Sequence, residues 1–286
     1  MSSTLFAVMA LLAKLVARRI PGPEVALVRF ATGVAATAVL WAARRIEIRP
    51  RRWGWLAARG LFGGTAVLAY FAAIQRVPVG EATLLNQTQP VYTLLFAWIL
   101  IGERPPAAAL LALPLTLIGI VLVVGVRPGD LAAGDLTGAV FGVLSAVASG
   151  VAVTSVRAAR RHTQGGPPAE TAWSVFASFT GLGLLVTLPS VLPPFGTWVT
   201  PNGPEWALLL GVGACSVAAQ VIMSEALQHL GGASAGIISQ LTAVLTIAAG
   251  AAFLGEPLTA RFGLGAILAL GGVALAVISA SAPWRP

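Results

Sequence analysis

Apolar runs long enough to cross a bilayer follow one another along the whole chain, and this feature decides the fold class. A helix needs about 20 mostly apolar residues to span a hydrocarbon core of about 30 Å. Prolines, glycines and charged residues separate the runs. The ten runs are roughly Ser3–Ala17, Glu24–Ala43, Trp53–Gln75, Gly80–Ile101, Pro106–Val126, Gly134–Val156, Pro168–Val191, Pro204–Gln228, Ala233–Leu254 and Leu258–Ser279. The sequence therefore predicts an all-α polytopic membrane protein with ten transmembrane helices.

Composition excludes a soluble protein. Hydrophobic residues make up 57% of the chain and charged residues 10%, whereas soluble domains have about 25% charged residues. The net charge of +8 would suggest nucleic acid in a soluble protein, but here the basic residues lie between apolar runs and indicate topology. Cys215 has no second cysteine to pair with. We expect a lipid bilayer as partner, and no nucleic acid, metal or cofactor.

The distribution of Lys and Arg predicts the orientation. Short cytoplasmic loops of membrane proteins carry an excess of these residues. Arginines cluster at Arg44, Arg45, Arg49, Arg51 and Arg52, between the second and third runs. With the N-terminus inside, the basic residues favour the cytoplasmic side by about two to one. An even number of helices then places both termini in the cytoplasm.

The two halves of the chain repeat each other at an offset of 153 residues. The matching positions include Trp53 with Trp206, Gly60 with Gly213, Gln87 with Gln240, Thr93 with Thr246, Gly102-Glu103 with Gly255-Glu256, and Gly119 with Gly272. We assign the first repeat to residues 1–127 and the second to residues 134–280. Each contains five predicted helices, an odd number, so the second repeat must enter the membrane from the opposite side. Two inverted five-helix repeats are typical of secondary transporters.

The motifs of both halves resemble a known family. Ala82–Val124 contains Gln89-Pro90-Val91, Phe96-Ala97-Trp98 and Gly102-Glu103-Arg104, and Ala233–Val277 contains Leu254-Gly255-Glu256-Pro257 and Leu270-Gly271-Gly272. These stretches resemble the EamA repeat of the drug/metabolite transporter superfamily. Lys14 and Arg29 fall where that family often has a Lys in its first helix and an Arg in its second. The chain looks closest to bacterial amino-acid exporters of the YddG type, which implies the bacterial inner membrane.

The sequence departs from the family pattern at two places. The first helix lacks the Trp-Gly that is usual early in the repeat. Ala243 stands where the first repeat has Pro90. The second departure predicts that the two halves are functionally unequal.

The fourth run contains the polar segment Asn86-Gln87-Thr88-Gln89-Pro90. Pro90 has no N–H to donate to the Asn86 carbonyl, and polar groups in hydrocarbon are costly unless they face protein or a water-filled cavity. These amides either bind substrate or hold helices together. The candidate substrate-binding residues are Asn86, Gln87, Gln89, Pro90, Tyr92 and Thr93, their second-repeat counterparts Ser239, Gln240, Thr242 and Thr246, and Tyr70.

Four charged residues within the runs are candidates for coupling or charge pairing. Glu225 is the candidate for ion coupling, because acids inside a membrane are functional by default; the alternative is an interfacial Glu that reaches water. Lys14, Arg29 and Glu81 fall near the outer ends of their helices. They either pair with each other, snorkel to the interface or contact a zwitterionic substrate.

Together these features predict a secondary transporter that works by alternating access. We expect it to export small amphipathic or zwitterionic metabolites, above all amino acids including aromatic ones; the alternative is export of another metabolite or a drug. Gly232–Gly236 matches the nucleophile-elbow pattern around Ser234, so an intramembrane hydrolase is a remote alternative, but that motif needs a strand-turn-helix setting. A scaffold or receptor is a further alternative that leaves the polar segment unexplained. No enzymatic activity is predicted.

Overall fold

The computed structural model describes residues 1–103, 107–124, 134–161, 168–229 and 232–280, and side chains in 1–103, 111–124, 136–161, 168–223 and 240–279. In these ranges all the regular secondary structure is helical, and there is no strand. The helices are α1 Ser2–Val16, α2 Gly22–Ala42, α3 Trp53–Arg76, α4 Val79–Asn86, α5 Gln89–Ile101, α6 Ala107–Val124, α7 Gly134–Arg160, α8 Ala172–Thr187, α9 Gly203–His229, α10 Gly232–Leu254 and α11 Ala260–Ala280. A 3-10 turn, Leu188–Val191, follows α8.

The fourth predicted span, Gly80–Ile101, consists of two helices instead of one. Helix α4 ends at Asn86 and α5 begins at Gln89, so the helix is interrupted at Gln87 and Thr88. Pro90 lies in the first turn of α5, where its missing N–H costs nothing. The Thr88 hydroxyl donates to the Leu85 carbonyl at 2.6 Å, which satisfies one acceptor at the interruption.

The corresponding segment of the second half is continuous. Helix α10 runs without interruption from Gly232 to Leu254. Ala243, the counterpart of Pro90, is fully buried within it. An alanine keeps the backbone N–H that a proline lacks, so α10 completes its helical hydrogen bonds where α4–α5 cannot.

The helices have the length and polarity distribution of membrane spans. Among the residues whose side chains the structure describes, six helices are long and apolar enough to cross a membrane, and the apolar helical stretches Ser2–Val16, Leu111–Val124 and Gln240–Leu254 are shorter. Large apolar side chains such as Leu111, Ile118 and Ile267 are exposed, whereas polar ones such as Thr154 and Thr246 are fully buried. This inverted polarity is expected in lipid. The chain is a polytopic membrane protein.

Helices from the two halves pack against each other. Helix α1 packs on α9 and α10, and α7 packs on α3, α4 and α5. Helix α8 lies against α2 and α3, and α6 packs along α11. The interior is therefore built by contacts between the halves.

Glycines bring several helix pairs into close contact. A Cβ on Gly60 would lie 2.5 Å from Leu182 Cβ, and one on Gly64 2.9 Å from the Gly183 Cα, so this Gly-x-x-x-Gly packs α3 on α8 within the chain. Gly272 does the same for α11 against α6, where a Cβ would lie 2.9 Å from the Ala112 carbonyl oxygen. Small residues allow such approach in membrane helices.

The two Gly-Glu pairs end their helices in the same way. Gly102 after α5 and Gly255 after α10 have φ angles of 71° and 67°, the left-handed region that glycine adopts without strain. The Glu103 amide donates to the Ala97 carbonyl and the Glu256 amide to the Gly250 carbonyl, at 3.1 and 3.2 Å. The matched sequence motif thus has one backbone geometry in both halves.

Candidate functional site

The interrupted helix α4–α5 is positioned by a row of small residues on α7. Gly138, Gly142, Ala146 and Gly150 follow at intervals of four, so they lie on one face of the helix. A Cβ on Gly142 would come within 2.8 Å of Leu85 Cδ1, and a Cβ on Gly150 within 2.7 Å of Tyr92 Cβ. A side chain at Gly142 or Gly150 would therefore push α4–α5 away from α7.

Helix α7 also supplies polar partners for the interruption. The Asn86 amide nitrogen donates to Ser145 Oγ at 2.5 Å, and Thr154 Oγ1 donates to the Thr93 carbonyl at 3.3 Å. The Thr93 hydroxyl donates to the Gln89 carbonyl at 3.0 Å. Interhelical hydrogen bonds of this kind contribute about 0.6 kcal/mol on average in a membrane protein. Asn86 therefore has a structural contact, whatever its role toward substrate.

The candidate residues around the interruption differ in exposure. Gln87, Gln89 and Pro90 are half-buried, whereas Tyr92 and Thr93 are buried. Tyr92 packs against the backbone of α7 at Gly150. The half-buried side chains are the ones left accessible to a ligand.

Helix α10 presents the second predicted cluster. Gln240, Thr242 and Thr246 are all buried, and the Thr246 hydroxyl donates to the Thr242 carbonyl at 2.7 Å. Helix α10 packs on α4, where a Cβ on Gly80 would lie 3.1 Å from the Ile247 Cα. The side chains of Ser239 and Glu225 lie outside the described residues, as does that of Ser234.

Tyr70 connects α3 to α4. Its hydroxyl shares a hydrogen bond of 2.8 Å with Thr83 Oγ1, and both residues are buried. Thr83 stands three residues before Asn86 on the same helix. Tyr70 is therefore fixed close to the interruption, as a residue lining the site would be.

Lys14 binds backbone carbonyls at the end of α3. Its Nζ donates to the carbonyls of Ile74 and Val77 at 2.8 and 2.7 Å. A cation at a helix C-terminus is favourable, because the last carbonyls lack helical partners. Glu81 and Glu256 are close enough to attract Lys14 electrostatically. Lys14 thus stabilises the α3–α4 connection. Of the two residues with which it was expected to pair, Glu81 lies nearby, whereas Arg29 binds Ser216 instead.

Glu256 binds the other side of the same connection. Its carboxylate accepts from the Val79 amide at 2.6 Å and from the Gly80 amide at 3.2 Å. These are unpaired N–H groups at the start of α4, where a carboxylate is favoured. The segment after α10 is thereby joined to the beginning of the interrupted helix.

Arg29 is buried among aromatic rings. Only 7% of the residue is exposed, and its Nε donates to Ser216 Oγ on α9 at 2.6 Å. Its guanidinium carbon lies 5.5, 6.0 and 5.7 Å from the ring centres of Phe30, Phe71 and Phe179. No carboxylate among the described side chains forms an ion pair with it.

Arg59 lies against the same phenylalanine from α3. Its guanidinium carbon is 4.0 Å from the Phe179 ring centre. Within the described part of the chain it forms no hydrogen bond or ion pair, and its Nε is buried. A desolvated cation–π contact contributes about 2 kcal/mol, whereas removing an ion from water costs several kcal/mol. Phe179 alone therefore does not compensate this charge.

Two buried acids join connections of one half to the other. Glu24, at the start of α2, accepts from the Val199 amide at 2.6 Å, and Glu170, before α8, accepts from the Arg52 amide at 2.5 Å. Both are almost completely buried. Their carboxylates bind backbone amides near the starts of α9 and α3. Neither acid therefore forms an ion pair with Arg29 or Arg59.

Several of these residues were not singled out from the sequence. Nothing in the sequence distinguishes Arg59 from other basic residues near helix ends, and no motif marks Ser145 or Phe179. The four-residue spacing of Gly138, Gly142 and Gly150 was a usable signal for a close helix contact. Which helix would meet that face is decided only in three dimensions.

With this geometry established, the chain can be placed among known proteins. Its sequence matches the EamA-like transporter family over residues 1–125 and again over residues 136–278. The chain belongs to the EamA-like transporter family. The EamA family is part of the drug/metabolite transporter superfamily, and this chain is accordingly a transporter and not an enzyme.

Curated relatives of this EamA chain agree with that assignment. The pseudopaline exporter CntI of Pseudomonas aeruginosa is 28% identical over 231 residues, which cover 80% of this chain and 76% of the relative. An uncharacterized transporter of Archaeoglobus fulgidus is 30% identical over 220 residues, 76% of this chain and 73% of the relative. Human solute carrier family 35 member G1 is 28% identical over 181 residues, covering 60% and 48% of the two chains.

The fold of this EamA chain also resembles a protein solved by crystallography. The two structures superpose with a TM-score of 0.62 at 22% sequence identity. The match covers 97% of this chain and 94% of the other. The likeness therefore concerns the fold of nearly the whole molecule.

Proposed function

We propose that this protein exports small amphipathic or zwitterionic metabolites across the bacterial inner membrane by alternating access. Amino acids, including aromatic ones, are the proposed substrates. The observation that carries the proposal is the interruption of α4–α5 at Gln87 and Thr88. Non-helical backbone at membrane depth is tolerated only where it is buried in protein or lines a cavity, and discontinuous helices form the substrate sites of many secondary transporters.

The proposed architecture is ten transmembrane helices in two inverted repeats, residues 1–127 and 134–280, with both termini in the cytoplasm. Counting α4–α5 as one span gives ten spans. Packing of α1 on α9 and α10, and of α7 on α3, α4 and α5, is reciprocal between the halves. The family also matches the chain twice, and the Gly-Glu pairs have equal geometry. Residues 125–133, where the repeats would join, lie outside the described ranges.

The proposed substrate site lies between α4–α5 and α10. It comprises the half-buried Gln87, Gln89 and Pro90, with Tyr70, Asn86, Tyr92 and Thr93 around them, and Ser239, Gln240, Thr242 and Thr246 on α10. Amides and hydroxyls offer hydrogen bonds to polar substrate groups, and Tyr rings offer an apolar face with a polar end. Because α4 and α10 pack against each other, one ligand is able to contact both.

Export as the direction of transport has support from one relative. CntI of P. aeruginosa is named as an exporter of pseudopaline, and it matches most of this chain. The same relative supports the second candidate, export of a metabolite other than an amino acid. Both candidates share the site and the alternating-access mechanism.

Flux measurements on purified protein in liposomes test the proposal. We expect efflux or exchange of labelled amino acids, and a severalfold loss of flux in Gln87→Ala and Gln240→Ala with unchanged folded yield. Pro114→Ala, at an exposed position of helix α6, is the matched control and should retain flux. Absence of flux for every amino acid and related metabolite would rule out the proposed function, and parental kinetics in both Gln variants would rule out the site.

Proton coupling through Glu225 is tested in the same liposomes. An imposed pH gradient should drive flux in the parent protein. Glu225→Gln, which cannot bind and release a proton, should transport down a substrate gradient but respond weakly to the pH gradient. An equal response of both proteins would remove Glu225 from the coupling mechanism.

A further inference from the structure

Arg29 and Arg59 place two positive charges on one buried aromatic ring. Arg29 approaches Phe179 from α2 and Arg59 approaches it from α3. The like charges are close enough to repel each other electrostatically. Two cations in such a position lower the stability of an unliganded protein unless an anion compensates them.

The described acids inside the molecule do not supply that anion. The salt bridges among described residues join Arg19 with Glu205, Arg49 with Glu47, and Arg157 and Arg161 with Glu103. Glu24, Glu170 and Glu256 accept hydrogen bonds from backbone amides at connections between helices. Glu225 stands nine residues beyond Ser216 on α9, which places it about 13 Å along the helix from the contact of Arg29.

The charges belong to one half of the molecule. At the offset of 153 residues, Leu182 and Val212 occupy the positions of Arg29 and Arg59. Leu182 packs against Gly60, and Val212 is fully buried in the apolar core. The counterpart positions of the second half are therefore apolar, and the two charges belong to the first half alone.

Arg29 lies close to a residue that contacts the interrupted helix. Tyr70 lies near Arg29, and its hydroxyl bonds to Thr83 on α4, one turn before the interruption. The residue Arg59 keeps partial exposure although its Nε is buried. Arg29 is thereby connected through Tyr70 and Thr83 to the interrupted helix, and Arg59 reaches the same ring, Phe179, as Arg29 does.

We propose that Arg29 and Arg59 bind a carboxylate of the transported molecule, so that this transporter selects metabolites with net negative charge. This inference rests on the proposed function and narrows its substrate class from zwitterions to anions. Arg59, with no hydrogen-bond partner among the described residues, is the principal contact, because a guanidinium binds a carboxylate through two parallel hydrogen bonds. Arg29, held by Ser216, supplies the second charge.

Competition in liposomes tests the selectivity. Glutamate and succinate should inhibit transport at concentrations at least about tenfold lower than leucine does, in keeping with charge-assisted hydrogen bonds to the anions. Arg59→Gln should raise the KM for the anions about tenfold or more, and Arg59→Lys should recover part of the loss, since it keeps the charge without the bidentate geometry. Arg45→Gln, in the exposed segment after α2, is the matched control with parental KM.

Thermal unfolding in detergent separates a binding role from a structural one. If the pair serves binding, Arg59→Gln should unfold at a temperature equal to or above that of the parent, and should lose the stabilisation that glutamate gives the parent. If Arg59→Gln shows a large decrease in Tm, and Arg59→Lys restores the Tm and has the parental KM, the role of Arg59 is structural and the inference is overturned.

The remaining outcomes distinguish this inference from the proposed function. If the parent transports leucine and glutamate equally well and Arg59→Gln does the same, the charge selectivity is overturned while the transporter function stands. If leucine transport requires chloride and stops when isotonic sucrose replaces potassium chloride, the pair binds an inorganic anion and the inference also fails. If the parent transports nothing, the proposed function itself is lost.

Discussion

Helix α10 and the pair α4–α5 correspond in sequence, yet one is continuous and the other is interrupted. Both end in a Gly-Glu pair with the same left-handed glycine, and both carry a Gln and a Thr at matching positions. They differ at Pro90 and Ala243. One missing backbone donor changes a continuous helix into two, and the freed polar groups then need partners from a neighbouring helix.

The described hydrogen bonds of the two segments also differ. The interrupted segment receives Ser145 and Thr154 from α7, whereas the Thr246 hydroxyl on α10 bonds within its own helix. The first half therefore has the less regular and more polar centre. This difference suggests that α4–α5 selects the substrate and that α10 forms a more rigid opposing wall.

The largest expected effect on stability concerns Glu256 and Glu103, the acids that follow α10 and α5. Glu256→Ala should lower the free energy of unfolding by about 2 kcal/mol, because two amides at the start of α4 lose a charged acceptor. Glu103→Ala should change it by less than about 1 kcal/mol, because Glu103 is 40% exposed and pairs with Arg157 at 3.6 Å as an exposed ion pair. Unfolding in detergent measures both, and equal losses would show that the ends are equivalent.

Restoring a backbone N–H at residue 90 should make α4–α5 resemble α10. Pro90→Ala allows an N–H at residue 90 to reach the Asn86 carbonyl, so we expect a straighter helix, little loss of stability and about a tenfold decrease in transport. Ala243→Pro should interrupt α10 and lower the folded yield, since Ala243 is fully buried and a proline there removes a backbone donor from the helix interior. Parental flux in Pro90→Ala would show that the interruption is not required for transport.

The smallest effect belongs to the contact between Asn86 and Ser145. A double-mutant cycle of Asn86→Ala and Ser145→Ala should give a coupling energy of about 0.6 kcal/mol, the average for interhelical hydrogen bonds in a membrane. Thr246→Val on α10 removes a hydroxyl that bonds within its own helix and serves as the comparison. A coupling energy near zero would mean that Asn86 is free to serve substrate instead.

The sequence determined the membrane character, the approximate positions of the spans and the family. Length and continuity of apolar runs are local properties, so they can be read without knowing which helices meet. The interruption was also foreseeable, because the loss of the Pro90 donor is local. The helix boundaries mostly agree with the apolar runs within a few residues, and the fourth run differs because Pro90 has no N–H for the Asn86 carbonyl and the helix is interrupted at Gln87 and Thr88.

Only the tertiary structure decided which residues meet. Lys14 binds the end of α3, Glu256 binds the start of α4, and Arg29 reaches Ser216 on α9; each partner is more than 50 residues away in the chain. The role of Arg59 depends on the side chains around it. An arginine near a helix end is common, and only the structure shows that no carboxylate among the described residues pairs with this one. The length of an apolar run is a property of one helix, whereas the compensation of a buried charge depends on all the helices that surround it.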